Sequence, residues 1–84
     1  MLNARQLQQL RQEPGNPNRV KAAMRLARAT QLMVSAGTGL AQSHISKVAN
    51  DGPSVTVETA SKLARFFGCR IEDLFPRQSQ ETAA

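Results

Sequence analysis

The stretch that decides the fold runs from Thr30 to Asn50 and reads TQLMVSAGTGLAQSHISKVAN. Apolar residues recur at helical spacing on both sides of Gly39, and a glycine can adopt the positive φ that a tight turn requires. The positions predicted to face inward are Val34 and Thr38 before the turn and Ala41, Ile45 and Val48 after it. The stretch therefore predicts two short helices that cross at a glycine turn, a helix-turn-helix motif.

The second helix of this motif keeps a polar outer face when its apolar residues turn inward. This face carries no acidic residue and no bulky apolar group, and it consists of Gln42, Ser43, Ser46, Lys47 and Asn50. A glutamine amide matches the donor and acceptor of adenine in the major groove, and a lysine can donate to guanine. The face is therefore interpreted as a surface for nucleic acid.

The charge distribution supports this interpretation. The formal net charge is +5, and the segment from Pro14 to Asn50 contains no Asp or Glu. Its cations are Arg19, Lys21, Arg25, Arg28 and Lys47. A segregated positive potential attracts phosphate, although an ordinary solvated basic face has the same composition. The adjacent helix-turn-helix spacing favours DNA.

The remaining helices are predicted from start and stop signals. We expect Asn16 to cap a helix that begins at Pro17 and ends near Ala29. Thr30 and Thr56 are predicted to cap the helices that follow them, and Gly68 to end the second of these. A last turn covers residues 71–75. These signals predict an all-α bundle of five helices, with a sixth, N-terminal helix as an alternative.

The 84 residues are expected to form a single small domain. We expect residues 1–16 to be an N-terminal extension with a short helix, 17–76 the helical domain, and 77–84 a polar, disordered tail. The extension carries Leu2, Leu7 and Leu10. Contacts with the core, a dimer contact and a disordered tail are equally compatible with these leucines.

The composition argues against catalysis and against a metal site. One histidine, His44, and one cysteine, Cys69, are too few to hold a metal ion, and no acid lies near Ser43 and His44 to orient the histidine. We expect Cys69 to be a small buried filler rather than a redox sensor, and His44 to pack or face solvent rather than hold phosphate. The prediction is a protein that is not an enzyme and needs no cofactor.

The sequence also predicts where the protein acts. No apolar run approaches the roughly 20 residues of a membrane span, and no signal peptide is evident. A single cysteine fits a reducing compartment. We therefore expect a cytoplasmic, nucleoid-associated protein without a membrane partner.

Seven short matches fall in register with a known family. They are Arg19-Val20-Lys21, Thr30-Gln31, Gly39, Gln42-Ser43-x-Ile45, Asn50, Glu58-Thr59-Ala60 and the segment from Ile71 to Phe75. Through them the chain resembles the lambda-repressor-like DNA-binding domain of Xre proteins and of phage Cro and repressor. The resemblance covers Asn18 to Phe75. It departs from the family at Thr38, where a leucine is usual.

The resemblance implies roles for individual residues. Base reading falls to Gln42, Ser43 and Lys47, to which the helical wheel adds Ser46. Gln31 would contact phosphate and brace Gln42, and Asn50 would hold the DNA backbone. Arg19 and Lys21, near the start of the preceding helix, are expected to add phosphate contacts.

The expected function is that of a transcriptional repressor that occupies a double-stranded operator. The alternative in the same fold is the antitoxin of a toxin–antitoxin pair, which binds its own promoter and a toxin protein. An adaptor that binds only proteins is a further alternative. We expect a homodimer on an inverted repeat, joined through Ile71, Leu74 and Phe75, with the Leu2–Leu10 helix as the second choice.

Overall fold

The structure is a computed structural model that describes residues 2–14, 18–51 and 55–76. Within these ranges the chain forms helices and no strand. The helices are α1 (Ala4–Gln12), α2 (Val20–Ala27), α3 (Gln31–Thr38), α4 (Gln42–Asp51), α5 (Val57–Phe67) and α6 (Ile71–Leu74). The predicted all-α fold is confirmed, with the N-terminal helix as its sixth member. The predicted tail at 77–84 lies outside the described residues.

The local signals at the helix ends act as the sequence predicts. The Thr30 hydroxyl accepts a hydrogen bond from the Met33 N–H at 3.2 Å, and the Thr56 hydroxyl accepts one from the Thr59 N–H at 3.1 Å. Gly68 ends α5 with a φ of 72°. Each of these contacts spans only a few residues, so the sequence alone could predict them.

The second helix differs from its prediction at both ends. It begins at Val20 rather than Pro17, while Asn16 and Pro17 lie outside the described residues. The Asn18 side chain accepts a hydrogen bond from the Val20 N–H at 2.9 Å and so marks the start of the helix. The helix ends before Ala29 because Arg28 adopts the left-handed conformation, with a φ of 54°.

One apolar core joins all six helices. Its largest fully buried side chains are Phe67, Leu10, Ile45, Leu63, Leu74, Val20 and Val34. The predicted burial of Ile45 and Val48 is confirmed. The predicted burial of Ala41 is wrong: it precedes the first turn of α4 and is exposed, whereas Ala49 inside the helix is buried.

The N-terminal helix belongs to this core. Leu2 and Leu10 are 7% and 0% exposed, and α1 packs against α2 and α6. Asn3 and Gln6 form a reciprocal cap at its start, and the Gln6 amide also donates to the Leu26 carbonyl at 3.0 Å. Of the three alternatives for the leucines, core packing is therefore the one observed.

The same packing covers two of the three residues of the predicted dimer interface, while the third, Ile71, is half-buried. Leu74 and Phe75 are 0% and 2% exposed within a single chain. Their side chains are covered by the protein's own core, so they cannot present an apolar surface to a second copy. In the second choice, the Leu2–Leu10 helix, Leu2 and Leu10 are buried in the same way and Leu7 is half-buried.

Candidate nucleic-acid interface

The turn between α3 and α4 is held by side-chain hydroxyls. The Gly39 N–H donates to the Ser35 carbonyl at 2.8 Å, and the Ser35 hydroxyl donates to the Leu40 carbonyl. The Thr38 hydroxyl donates to the Val34 carbonyl at 2.7 Å and accepts from the Leu40 N–H at 3.2 Å. At Thr38, where the resembled family usually has leucine, hydrogen bonds thus close the turn.

The inner side of α4 is anchored by packing and by one polar bridge. Ile45, Val48 and Ala49 are buried. Asn18, only 8% exposed, donates from its amide to the Val48 carbonyl at 2.8 Å. Because Asn18 also accepts from the Val20 N–H, it ties the start of α2 to α4. The sequence did not predict this link between α2 and α4. The only local sign of it is that Asn18 is a polar residue shortly before a helix.

The outer side of α4 carries the predicted polar residues. Gln42, Ser43, Lys47 and Asn50 are exposed, and Ser46 is half-buried. His44 is exposed on the same helix, so it does not pack in the core. The sequence pattern and the structure therefore agree on which side of this helix meets solvent.

The structure shows the surroundings of the three amides to which the resemblance assigns roles. Gln31 and Gln42 are both exposed, and no hydrogen bond joins them. Asn50 donates from its side-chain nitrogen to the Ser46 carbonyl at 2.9 Å and lies 3.3 Å from the Ser46 hydroxyl. The side-chain oxygen of Asn50 takes part in neither of these bonds and can still accept a hydrogen bond.

The predicted cations divide into two groups. Arg19 donates to three backbone carbonyls, those of Glu13, Arg11 and Asp73, at 3.0, 3.0 and 3.4 Å. Arg25 forms an ion pair with Glu13 at 2.9 Å. The exposed cations Lys21, Arg28 and Lys47 appear in none of the described ion pairs. Arg19 and Arg25 thus hold the end of α1 against α2 and α6, whereas the other three cations are exposed to solvent.

Comparison with known proteins identifies the family to which the helix pair α3 and α4 belongs. A family model described as helix-turn-helix, of the Cro/C1 and lambda-repressor-like type, matches residues 20–74. The chain belongs to this helix-turn-helix family. The family is a DNA-binding one, and the match supports a DNA-binding transcription regulator. The chain matches no curated protein and no solved structure.

The matched region of this helix-turn-helix protein begins after α1. Residues 20–74 contain α2 to α6, which is the set of five helices predicted from the sequence. The extra helix α1 is joined to them by Arg19 and by an ion pair between Arg11 and Asp73 at 2.9 Å. None of the described helices is long and apolar enough to cross a membrane.

Two titratable groups near α6 of this helix-turn-helix protein have shifted pKa values. Burial alone would raise the pKa of Asp73, but hydrogen bonds from the Arg11 side chain and the Arg70 N–H lower it below its ordinary value. Burial raises the pKa of the half-buried Cys69 thiol to about 11, and the neighbouring Asp73 adds to the shift. Since the thiolate is the reactive form, Cys69 is a poor redox sensor at neutral pH.

Proposed function

We propose that this protein is a sequence-specific transcriptional repressor that occupies an operator by placing α4 in the major groove. The observation that carries the proposal is the asymmetry of α4. Ile45, Val48 and Ala49 hold one side in the core, while the opposite side exposes Gln42, Ser43 and Lys47. A helix of this kind fits the major groove of B-DNA, whose base edges offer partners for amides and ammonium groups.

The residues of this surface take two kinds of role. Gln42, Ser43, Ser46 and Lys47 read base edges. Lys21, Gln31 and Asn50 contact the sugar-phosphate backbone on either side of the groove, and such contacts orient the protein without reading sequence. Arg19 contributes indirectly. Its guanidinium donates to three backbone carbonyls and so fixes the start of α2, the helix that carries Lys21. The exposed Arg28, shortly before α3, adds positive charge.

The packing of α1 removes the N-terminal segment as an apolar surface for a toxin. An antitoxin needs a surface that binds its toxin, and the N-terminal segment is one candidate for it. The apolar residues Leu2 and Leu10 of the N-terminal segment are buried in the protein's own core. They therefore present no apolar stripe to a toxin.

The proposal is tested by comparing Gln42→Ala with Lys21→Ala. A genome-wide map of bound sites first supplies the operator, and binding titrations then use this operator and a random duplex. Gln42→Ala should cost about 1–3 kcal/mol on the operator and much less on random DNA, because a base contact is lost. Lys21→Ala should weaken both by similar factors and reduce the salt slope by about one, because a phosphate contact is lost.

Gln9→Ala serves as the neutral control, since Gln9 is exposed on α1. Equal losses on both duplexes for Gln42→Ala would show that α4 clamps DNA without reading it. Genome-wide mapping that found no preferred sequence would contradict the repressor proposal as a whole.

A further inference from the structure

Helix α3 exposes a surface that the DNA proposal does not use. It contains no charged residue, and its side chains Leu32 and Met33 are 64% and 47% exposed. Ala36 and Gly37 are exposed one turn further on. Only Val34 of this helix is fully buried. An adjoining group of exposed apolar residues on a chain of net charge +5 marks a candidate contact surface.

This surface points away from the proposed DNA contacts. At about 100° per residue, Leu32, Ala36, Met33 and Gly37 cover one continuous arc of the helix. Gln31, the proposed phosphate contact, falls roughly opposite the middle of that arc. A DNA duplex held by Gln31 and α4 would therefore leave the arc uncovered.

The arc continues into a groove between α3 and α5. The groove has a volume of about 280 Å³ and is lined by Gly37, Thr38, Lys62, Arg65 and Phe66. The Arg65 side chain is exposed and takes part in none of the side-chain hydrogen bonds or ion pairs of the described residues. Lys62 pairs with Glu58 at 3.5 Å, an exposed contact of little energetic weight. We call Leu32, Met33, Ala36, Lys62, Arg65 and Phe66 together the α3–α5 face.

A second copy of the chain does not complement this face. The acidic side chains with described positions already meet a cation: Glu13 with Arg25, Glu58 with Lys62, Glu72 with Arg70 and Asp73 with Arg11. A carboxylate of a second copy would therefore have to leave one of these pairs, two of which are exposed and weak, to reach Arg65. Its own net charge of +5 would oppose the approach.

We propose that the α3–α5 face binds an acidic amphipathic segment of another protein. Aliphatic side chains of that segment cover Leu32 and Met33, and its carboxylates reach Arg65 and Lys62 across the groove. Apolar contact supplies the affinity, and charge complementarity selects the partner and speeds its association. Since this face lies opposite Gln31, the partner and DNA bind at the same time.

The experiment titrates isotopically labelled protein with a short synthetic helical peptide in which glutamates flank a leucine stripe. A second peptide carries lysines in place of the glutamates. The acidic peptide should shift the amide resonances of residues 32–37 and 62–66, and the lysine peptide should not. Arg65→Glu should weaken peptide binding roughly tenfold. Arg5→Glu, an equal charge reversal at an exposed position on α1, should have a much smaller effect.

Leu32→Ser separates this face from the DNA surface. It should abolish the peptide-induced shifts and leave affinity for the bound DNA sites unchanged. The proposal is overturned if both peptides bind alike, if the shifts map to α4, or if the acidic peptide causes none. It is equally overturned if anionic vesicles bind at residues 32–37 in place of the peptide, or if sedimentation shows self-association that Leu32→Glu removes.

Discussion

At the scale of single residues, Asp73 shows how one buried acid joins distant parts of the chain. It is 5% exposed and accepts from the Arg11 side chain of α1 at 2.9 Å and from the Arg70 N–H at 3.0 Å. Its pKa is lowered because these bonds outweigh the cost of burial. The ionised carboxylate therefore favours the folded state.

This lowered pKa predicts an acid-dependent loss of stability. The unfolded chain binds the Asp73 proton near pH 3.9, and the folded protein binds it only at lower pH. The contribution of Asp73 is thus fully present above the unfolded pKa and disappears as the pH falls through the folded pKa. Denaturant unfolding of the wild type and of Asp73→Asn should differ at pH 6 and converge towards pH 3.

Glu58→Gln is the matched control for this series. Glu58 forms an exposed pair with Lys62, so its removal should change stability by less than about 0.5 kcal/mol. A stability difference between wild type and Asp73→Asn that did not shrink on acidification would exclude the proposed linkage.

Gly37 allows α3 to approach α5. A Cβ atom at this position would overlap the Phe66 ring. Overpacking costs about 1–3 kcal/mol, whereas alanine in a helix gains about 0.5–1 kcal/mol over glycine. We therefore expect Gly37→Ala to lower the free energy of unfolding in the wild type. In a Phe66→Ala background the same change should raise it, and thermal unfolding of the four proteins tests the reversal of sign.

At the scale of the elements, Asn18 couples the start of α2 to the recognition helix α4. Its amide donates to the Val48 carbonyl, and its carbonyl accepts from the Val20 N–H. Both bonds are buried, so the Val48 carbonyl and the Val20 N–H cannot form replacement hydrogen bonds with water when the Asn18 side chain is removed. This link complements the apolar contact of α4 with the core.

Replacement of Asn18 should separate these two bonds. Asn18→Ala loses both and should destabilise the protein by about 2–3 kcal/mol. Asn18→Ser keeps an acceptor for Val20 but is too short to reach Val48, so it should recover about 1 kcal/mol of that loss. Chemical denaturation measures both values. Equal stability of the alanine variant and the wild type would mean that the link between α2 and α4 has no energetic weight.

At the scale of the whole molecule, the dimensions suit paired binding. The described chain measures 34 × 27 × 18 Å, and one turn of B-DNA rises about 34–36 Å. Two copies whose shorter dimensions, 27 or 18 Å, run along the duplex can therefore lie one turn apart on one face of it. One recognition helix contacts only about three or four base pairs, so a second copy is needed for useful specificity.

We expect two copies to bind an inverted repeat whose half-sites lie about one helical turn apart. Stoichiometry measured by sedimentation with operator DNA should be two chains per duplex. An insertion of half a helical turn between the half-sites should abolish joint binding, because the copies then face opposite sides of the DNA. A full-turn insertion is the control for added length. Tight binding of one chain to a single asymmetric half-site would refute the paired arrangement.

The sequence by itself determined the start of α3, both ends of α5 and the burial of Ile45 and Val48. Thr30, Thr56 and Gly68 act on backbone groups within a few residues, and Ile45 and Val48 follow helical periodicity. These features depend on local geometry, which is why residue order is enough to predict them. The same reasoning correctly placed Gln42 and Lys47 on the outer face of α4.

Only the tertiary structure decided the tasks of Arg19, Asn18 and Leu74. Arg19, which was predicted to contact phosphate, donates from its guanidinium to carbonyls of α6 and of the segment around the end of α1. Asn18 reaches a carbonyl 30 residues away, and Leu74 is covered by the protein's own core. Such contacts depend on which helices pack together, because residues distant in sequence become neighbours only when the core of this small domain forms.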